Sequence, residues 1–191
     1  MGSDVWIRWG AGALLMWACV GCVKDTATLA RGADASQETP VVTLLPPGNR
    51  PEYRFRGLDG RDVSSDASMG RVSLLAFLAT FDLASQAQAR FLAGIERHHR
   101  PTTKCSAVVI EQVENGPLVA AFVETLGLGY PVAHVTPEAL AMTSLGSRTV
   151  PTVLAFDTGG NLVWESEGLA TEEAIEQVLR VVERDSQTVG K

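Results

Sequence analysis

Two side chains able to do chemistry, Asp82 and Ser85, stand three positions apart at the start of a predicted helix. They follow the run Val72–Leu78, whose near-continuous apolar character predicts a strand buried on both faces. The carboxylate is a candidate general base. Asp is also a preferred N-cap residue, because its side-chain oxygen accepts a backbone N–H of the first turn. Of these two roles, we favour the cap.

Cysteine offers a second possible chemistry. Cys105 immediately precedes the predicted strand Ser106–Ile110, a position typical of a small, buried and inert residue. A one-cysteine peroxidatic or redox-sensing thiol is the alternative. Cys19 and Cys22 have C-x-x-C spacing, but they end an apolar leader, whereas a redox pair needs a strand before it and a helix after it.

Metal binding would require several donor side chains to converge. The three histidines do not predict this: His98 and His99 lie near a helix end and His134 on or beside a strand. We therefore predict no metal and no cofactor. Tyr130 and Trp164 are candidates for a binding face, with packing in the core as an equal alternative.

Residues 1–22 have the features of an export signal. Arg8 provides a weakly positive start, and Trp9–Val20 form an apolar run shorter than the ~20 residues of a membrane span. The run ends at a site similar to a bacterial lipobox, which predicts lipidation of Cys22. Cys19 is a second candidate, and an uncleaved anchor is the alternative. Each interpretation places the rest of the chain in the cell envelope, facing the periplasm or the exterior.

The remainder of the 191 residues divides into a predicted tether at 23–50, a domain at 51–185 and a tail at 186–191. The tether is rich in small and polar residues and has no sustained apolar period. The net charge is −6 and no Lys/Arg cluster stands out, which argues against a nucleic-acid partner.

Within the domain, apolar periodicity and turn residues predict a β-hairpin, then β, α, β, α, β, a short α, a second β-hairpin and a last α. Parallel strands with helical crossovers, followed by an antiparallel hairpin, imply an α/β fold: a mixed central sheet with helices on both faces. The predicted segments include a hairpin at Tyr53–Val63 with Asp59-Gly60 at the centre of a type I′ turn. They also include helices at Leu83–His98 and Pro117–Leu126, and strands at Pro131–Val135 and Thr152–Phe156.

This order resembles the thioredoxin fold, and more closely the exported TlpA/ResA-like (redoxin) thiol–disulfide reductases, over about residues 52–184. Four segments carry the resemblance: the strand within Gly70–Phe81, the C-x-x-C slot at Asp82–Ser85, a cis-proline loop at Thr149–Thr152, and a strand and turn at Phe156–Leu162. In that family the first cysteine attacks as a thiolate and the second resolves the mixed disulfide. Asp82 and Ser85 occupy those positions here, so the resemblance implies a degenerate site.

The resemblance also implies that Pro151 is cis and faces the helix start at Asp82. We therefore predict a redox-inactive envelope lipoprotein that binds a protein or peptide partner through a groove. The predicted groove residues are Phe81, Asp82, Ser85, Val150 and Pro151. One alternative is a thiol-dependent oxidoreductase or peroxidase that uses Cys105; another is a structural envelope protein that does not use its groove.

Overall fold

The computed structural model describes residues 42–46 and 48–189, with side chains described as far as residue 185. The predicted export signal, Cys19, Cys22 and most of the tether lie outside the described residues. Among the residues described, no helix combines the length and the apolar character that crossing a membrane requires.

Two sheets and five α-helices form the described part of the chain. Strands β1 (Arg54–Arg56) and β2 (Asp62–Ser64) make a small antiparallel sheet. The large sheet contains β3 (Val72–Leu78), β4 (Thr103–Ile110), β5 (Val132–Val135), β6 (Thr152–Phe156) and β7 (Leu162–Glu167). The helices are α1 (Ser65–Ser68), α2 (Leu83–His99), α3 (Gly116–Leu126), α4 (Pro137–Ala141) and α5 (Glu172–Val189), with a 3-10 turn at Val113–Asn115.

The large sheet has the order β5-β4-β3-β6-β7. Strand β3 pairs parallel with β4 and antiparallel with β6, so the predicted mixed sheet is confirmed. All seven residues of β3 are buried because both faces of the sheet are covered. Leu74, Ala76 and Leu78 join the core that includes residues of α2, α3 and α5, whereas Leu75 and Phe77 join the core beneath the hairpin and α4.

Four strands end at the same end of this sheet. Strands β3, β4 and β5 run parallel, and β7 runs in the same direction because both β3 and β7 are antiparallel to β6. We call this the carboxyl end of the sheet, and the opposite one the amino end. The loops after β3, β4, β5 and β7, and the loop before β6, therefore all meet at the carboxyl end.

Three local predictions differ from the structure. Cys105 lies inside β4, which begins at Thr103 and not at Ser106, because Thr103 and Lys104 pair with the start of β3. The short helix α1 was not predicted; the Ser64 hydroxyl caps it by accepting the Ala67 N–H. In the first hairpin, the Gly60 N–H donates to the Gly57 oxygen, so Gly60 follows the turn with a left-handed φ of 81° instead of sitting at its centre.

Both ends of the predicted domain have structure beyond its bounds. The Leu45 N–H donates to the Val163 oxygen and the Leu162 N–H to the Asn49 oxygen, both at 2.7 Å. Leu45 and Asn49 thus lie along the outer edge of β7, which would otherwise present unpaired backbone groups there. At the other end, α5 continues to Val189, into the segment predicted as a tail.

Candidate functional site

Asp82 is the N-cap of α2. Its carboxylate accepts the backbone N–H of Ala84 at 3.2 Å, the N–H of Ser85 at 2.8 Å and the hydroxyl of Ser85 at 2.6 Å. The Ser85 oxygen in turn accepts the Ala79 N–H at 3.1 Å. Through these two hydrogen bonds, the fully buried Ser85 hydroxyl joins the residue after β3 to the start of α2.

These contacts make Asp82 a poor general base. The hydrogen bond from the Ser85 hydroxyl, supported by the backbone N–H groups of Ser85 and Ala84, outweighs burial and lowers the pKa of Asp82. A carboxylate with a lowered pKa accepts a proton less readily near neutral pH, where a general base works best with a raised pKa. The structure therefore supports the capping role of Asp82.

Pro151 lies beside the chain that leaves β3. The Val150–Pro151 bond is cis, as the resemblance implies. The last antiparallel pair is Phe77 with Thr152, which places Pro151 just beyond the end of the β3–β6 ladder. Its oxygen accepts the Gly168 N–H at 2.8 Å, tying the loop to the end of β7. The Asp82 and Pro151 segments thus meet at the carboxyl end of the sheet; that the two side chains face each other stays a prediction.

The backbone of Val150 is free for pairing. Among the described residues, its N–H and C=O make no backbone hydrogen bond, and its side chain is 37% exposed. An unpaired backbone donor and acceptor in an exposed loop beside a sheet can pair with an extended peptide. Val150 is the predicted groove residue that offers these groups.

Exposed apolar side chains gather at the same end of the sheet. Phe81 and Leu83, which flank Asp82, are 74% and 79% exposed. Leu169 follows Gly168 and is 45% exposed. Val113, in the turn after β4, is also exposed, so apolar surface surrounds the meeting point of these loops. Large exposed apolar groups that cluster in this way are typical of interaction surfaces.

A polar network at this end of the sheet was not predicted from the sequence. The Glu111 carboxylate accepts the Thr80 hydroxyl at 2.6 Å, the Thr80 N–H at 3.0 Å and the Asn115 amide at 3.0 Å. Burial opposes ionisation of Glu111, but the hydrogen bonds from Thr80 and Asn115, helped by the charge of His134, lower its pKa. One sequence pattern could have predicted this network: Thr80 and Glu111 each follow one strand of a predicted parallel pair, and such strands end at the same edge of a sheet.

Cys105 lies far from the groove. It pairs with Leu74 near the amino end of the sheet, four positions and about 13 Å from Leu78. Its side chain is 1% exposed, and burial, followed by the nearby charge of Glu96, raises the pKa of its thiol well above the ordinary range. A thiol that stays protonated and inaccessible is a poor nucleophile.

His98 is exposed, and the other remaining candidates have structural partners. Nε2 of His99 lies 3.0 Å from the Glu176 carboxylate on α5, and Nε2 of His134 lies 3.1 Å from the Glu111 backbone oxygen. Within residues 42–46 and 48–185, no group of three or more His, Cys, Asp or Glu side chains is placed to hold a metal ion. Tyr130 and Trp164 are buried in the core, and the Tyr130 hydroxyl donates to the Ala89 oxygen at 3.0 Å. Core packing therefore explains both aromatic residues.

Comparison with solved structures identifies the fold. A thioredoxin-family thiol:disulfide interchange protein from Chlorobium tepidum superposes with a TM-score of 0.62 at 20% identity, covering 72% of this chain and 97% of that one. A secreted thiol-disulfide isomerase from Corynebacterium glutamicum gives 0.65 at 17% identity, covering 78% and 95%. A DsbF homologue from Corynebacterium diphtheriae gives 0.64 at 15% identity, covering 78% and 96%.

The chain matches no protein-family model and no curated protein sequence. It therefore has a thioredoxin-like fold, similar to that of proteins named for thiol–disulfide interchange. At these identities the likeness establishes the architecture, and the site has to be interpreted from its own residues.

The Asp82 cap gives a first prediction. Asp82→Ala should lower the free energy of unfolding by about 1 kcal/mol at neutral pH, because two backbone N–H groups and the Ser85 hydroxyl lose their acceptor. Asp82→Asn, which keeps a good capping side chain, should lose less. Urea unfolding followed by far-UV circular dichroism measures both values.

The same prediction has a defined pH dependence. Because folding lowers the pKa of Asp82, the stabilisation by its carboxylate is complete above the unfolded value of ~3.9 and is lost as the pH falls through the folded pKa. The loss of unfolding free energy in Asp82→Ala should therefore be smaller in acid than at neutral pH. An equal loss at neutral pH and in acid would contradict a charged cap.

Proposed function

We propose that this chain is a redox-inactive thioredoxin-like lipoprotein of the cell envelope that binds an extended segment of a protein or peptide partner. The proposed binding site is the groove between the helix start at Asp82 and the Pro151 loop. The observation that carries the proposal is the free backbone of Val150 in a loop bordered by exposed apolar side chains. The C-x-x-C positions of the fold hold Asp82 and Ser85, which contain no sulfur.

Binding in this groove requires no covalent step. An extended segment of the partner pairs with the N–H and C=O of Val150, and these main-chain hydrogen bonds provide affinity. Its apolar side chains contact Phe81, Leu83 and Leu169, which removes apolar surface of both partners from water. Asp82 and Ser85 hold the helix start in place, since each already has its hydrogen bonds within the protein.

An envelope location is part of the proposal. The leader at 1–22, with Cys22 as the lipidated residue and the segment after it as the tether, would attach the domain to a membrane. One of the structural neighbours is named as a secreted protein, which is consistent with a location outside the cytoplasm.

A thiol-dependent oxidoreductase or peroxidase that uses Cys105 is the second candidate. Two observations favour it: the neighbours are named for thiol–disulfide interchange, and Cys105 is among the residues lining a cleft at the amino end of the sheet. Its burial and the raised pKa of its thiol weigh against it. We therefore rank binding without thiol chemistry first.

Site-specific photocrosslinking tests the groove. A photoreactive phenylalanine analogue replaces Phe81, and a matched variant carries the same group at Leu58. Leu58 is an exposed apolar residue whose N–H donates to Val132 at the amino end of the sheet. We expect a discrete envelope protein to crosslink at position 81 and not at position 58.

The partner segment is then purified, and its affinity for each variant is measured directly. Phe81→Asp should weaken its binding by at least about tenfold, because the substitution places a charge on the apolar contact surface, whereas Leu58→Asp should leave it unchanged. Equal crosslinking at both positions, or equal binding by both aspartate variants, would argue for the structural protein that does not use its groove.

A further inference from the structure

A second concave site lies at the amino end of the sheet, opposite the groove. It is a cleft of about 440 Å³. Four cationic side chains line it: Arg61, Arg71, Arg100 and Lys104. Such a concentration of positive charge is unexpected in a chain whose net charge is −6. The site shares no residue with the Asp82–Pro151 groove, so it is independent of the binding function proposed for that groove.

The carboxylates of the cleft neutralise only part of this charge. Glu96 pairs with Arg100 at 2.8 Å. Asp62 pairs with Arg54 and Arg56, both at 3.1 Å, and neither of these arginines is among the lining residues. The two acidic side chains of the cleft are thus already engaged.

Two of the four cations lack a counter-charge. Arg61 pairs with Asp59 at 2.5 Å, but in the part of the chain that the structure describes neither Arg71 nor Lys104 forms an ion pair. Lys104 is half-buried, and its ammonium group donates to the Ala67 backbone oxygen at 2.8 Å, which fixes its position. Burial, followed by the charges of Arg71 and Arg61, lowers the pKa of Lys104. An anion in the cleft would relieve that repulsion.

We propose that this cleft binds a small molecule carrying two or more adjacent anionic oxygen groups, either phosphates or carboxylates, with Lys104 and Arg71 as its main contacts. Guanidinium groups match both kinds of anion with paired N–H donors, and an ammonium group adds a point charge. The cleft volume lies within the ~300–1,000 Å³ range of small-molecule pockets. It therefore suits a ligand larger than a single phosphate.

Isothermal titration calorimetry of the full chain in detergent tests this site. The probes are pyrophosphate for the phosphate source and citrate for the carboxylate source, titrated at constant ionic strength so that general screening does not change. We expect saturable 1:1 binding of at least one probe with a Kd of about 1 mM or lower. The stronger probe identifies the anion class.

Variants locate the binding. Arg71→Gln and Lys104→Gln should each weaken it by at least about tenfold, because each removes a charged donor. Arg90→Gln on the exposed face of α2 is the matched control and should change nothing. Arg71 is exposed, so its variant should fold even if Lys104→Gln does not. Lack of saturation by both probes, or equal weakening by Arg71→Gln and Arg90→Gln, would overturn the proposal.

Discussion

The double substitution Asp82→Cys with Ser85→Cys is expected to create a reducible disulfide and measurable disulfide-reductase activity. The two positions have C-x-x-C spacing across the first turn of α2, which places two sulfurs within bonding reach. Position 82 is partly accessible and position 85 is fully buried, the arrangement that an attacking and a resolving cysteine require. The N–H groups of Ala84 and of residue 85, which now stabilise a carboxylate, should also stabilise a thiolate.

The expected readouts are a thiol at position 82 with a pKa below the free value of ~8.5 and dithiothreitol-driven reduction of insulin. Thiolate absorbance against pH and insulin turbidity measure them. The single variant Asp82→Cys is the control, because without a partner cysteine it cannot close the disulfide. A folded double variant that does not close the disulfide, or whose position-82 thiol titrates at or above the free value, would show that this helix start does not correspond to the active-site position of thioredoxin-fold thiol–disulfide reductases.

In the folded protein, Cys105 is expected to react with thiol reagents at least about a thousandfold more slowly than in the unfolded protein. The side chain is 1% exposed and its pKa is raised by burial, so reaction has to wait for the surrounding strands to open. Labelling with a maleimide, followed by mass spectrometry of the Cys105 peptide, gives the two rates. Rapid labelling of the folded protein would instead favour the oxidoreductase candidate.

Local patterns in the sequence were sufficient to predict most of the fold. The apolar run Val72–Leu78 predicted a strand buried on both faces, and all seven residues of β3 are buried. Strand β6 begins and ends as predicted, at Thr152 and Phe156. Asp82 was identified as a cap because this role depends only on the N–H groups of Ala84 and Ser85, two and three positions further along the chain. Features that depend on neighbouring residues in the chain leave evidence in the sequence.

Features that depend on strand register leave little such evidence. Thr80 and Glu111 are far apart in the chain and meet only because β3 and β4 are parallel neighbours. The start of β4 was missed for the same reason: Thr103 and Lys104 are polar, and their pairing with β3 extends the strand. The amino-end cleft likewise combines residues from the hairpin, α2 and β4, so its positive charge emerges only after folding.

We propose that this protein binds its partner without thiol chemistry. The most direct test is calorimetric titration of the partner segment captured at position 81 into wild-type protein and into Cys105→Ala, with intact-mass analysis of each mixture. We predict the same 1:1 affinity for both proteins, and masses that show no mixed disulfide. Loss of binding in Cys105→Ala, or a wild-type mass increased by one disulfide-linked partner, would contradict the claim.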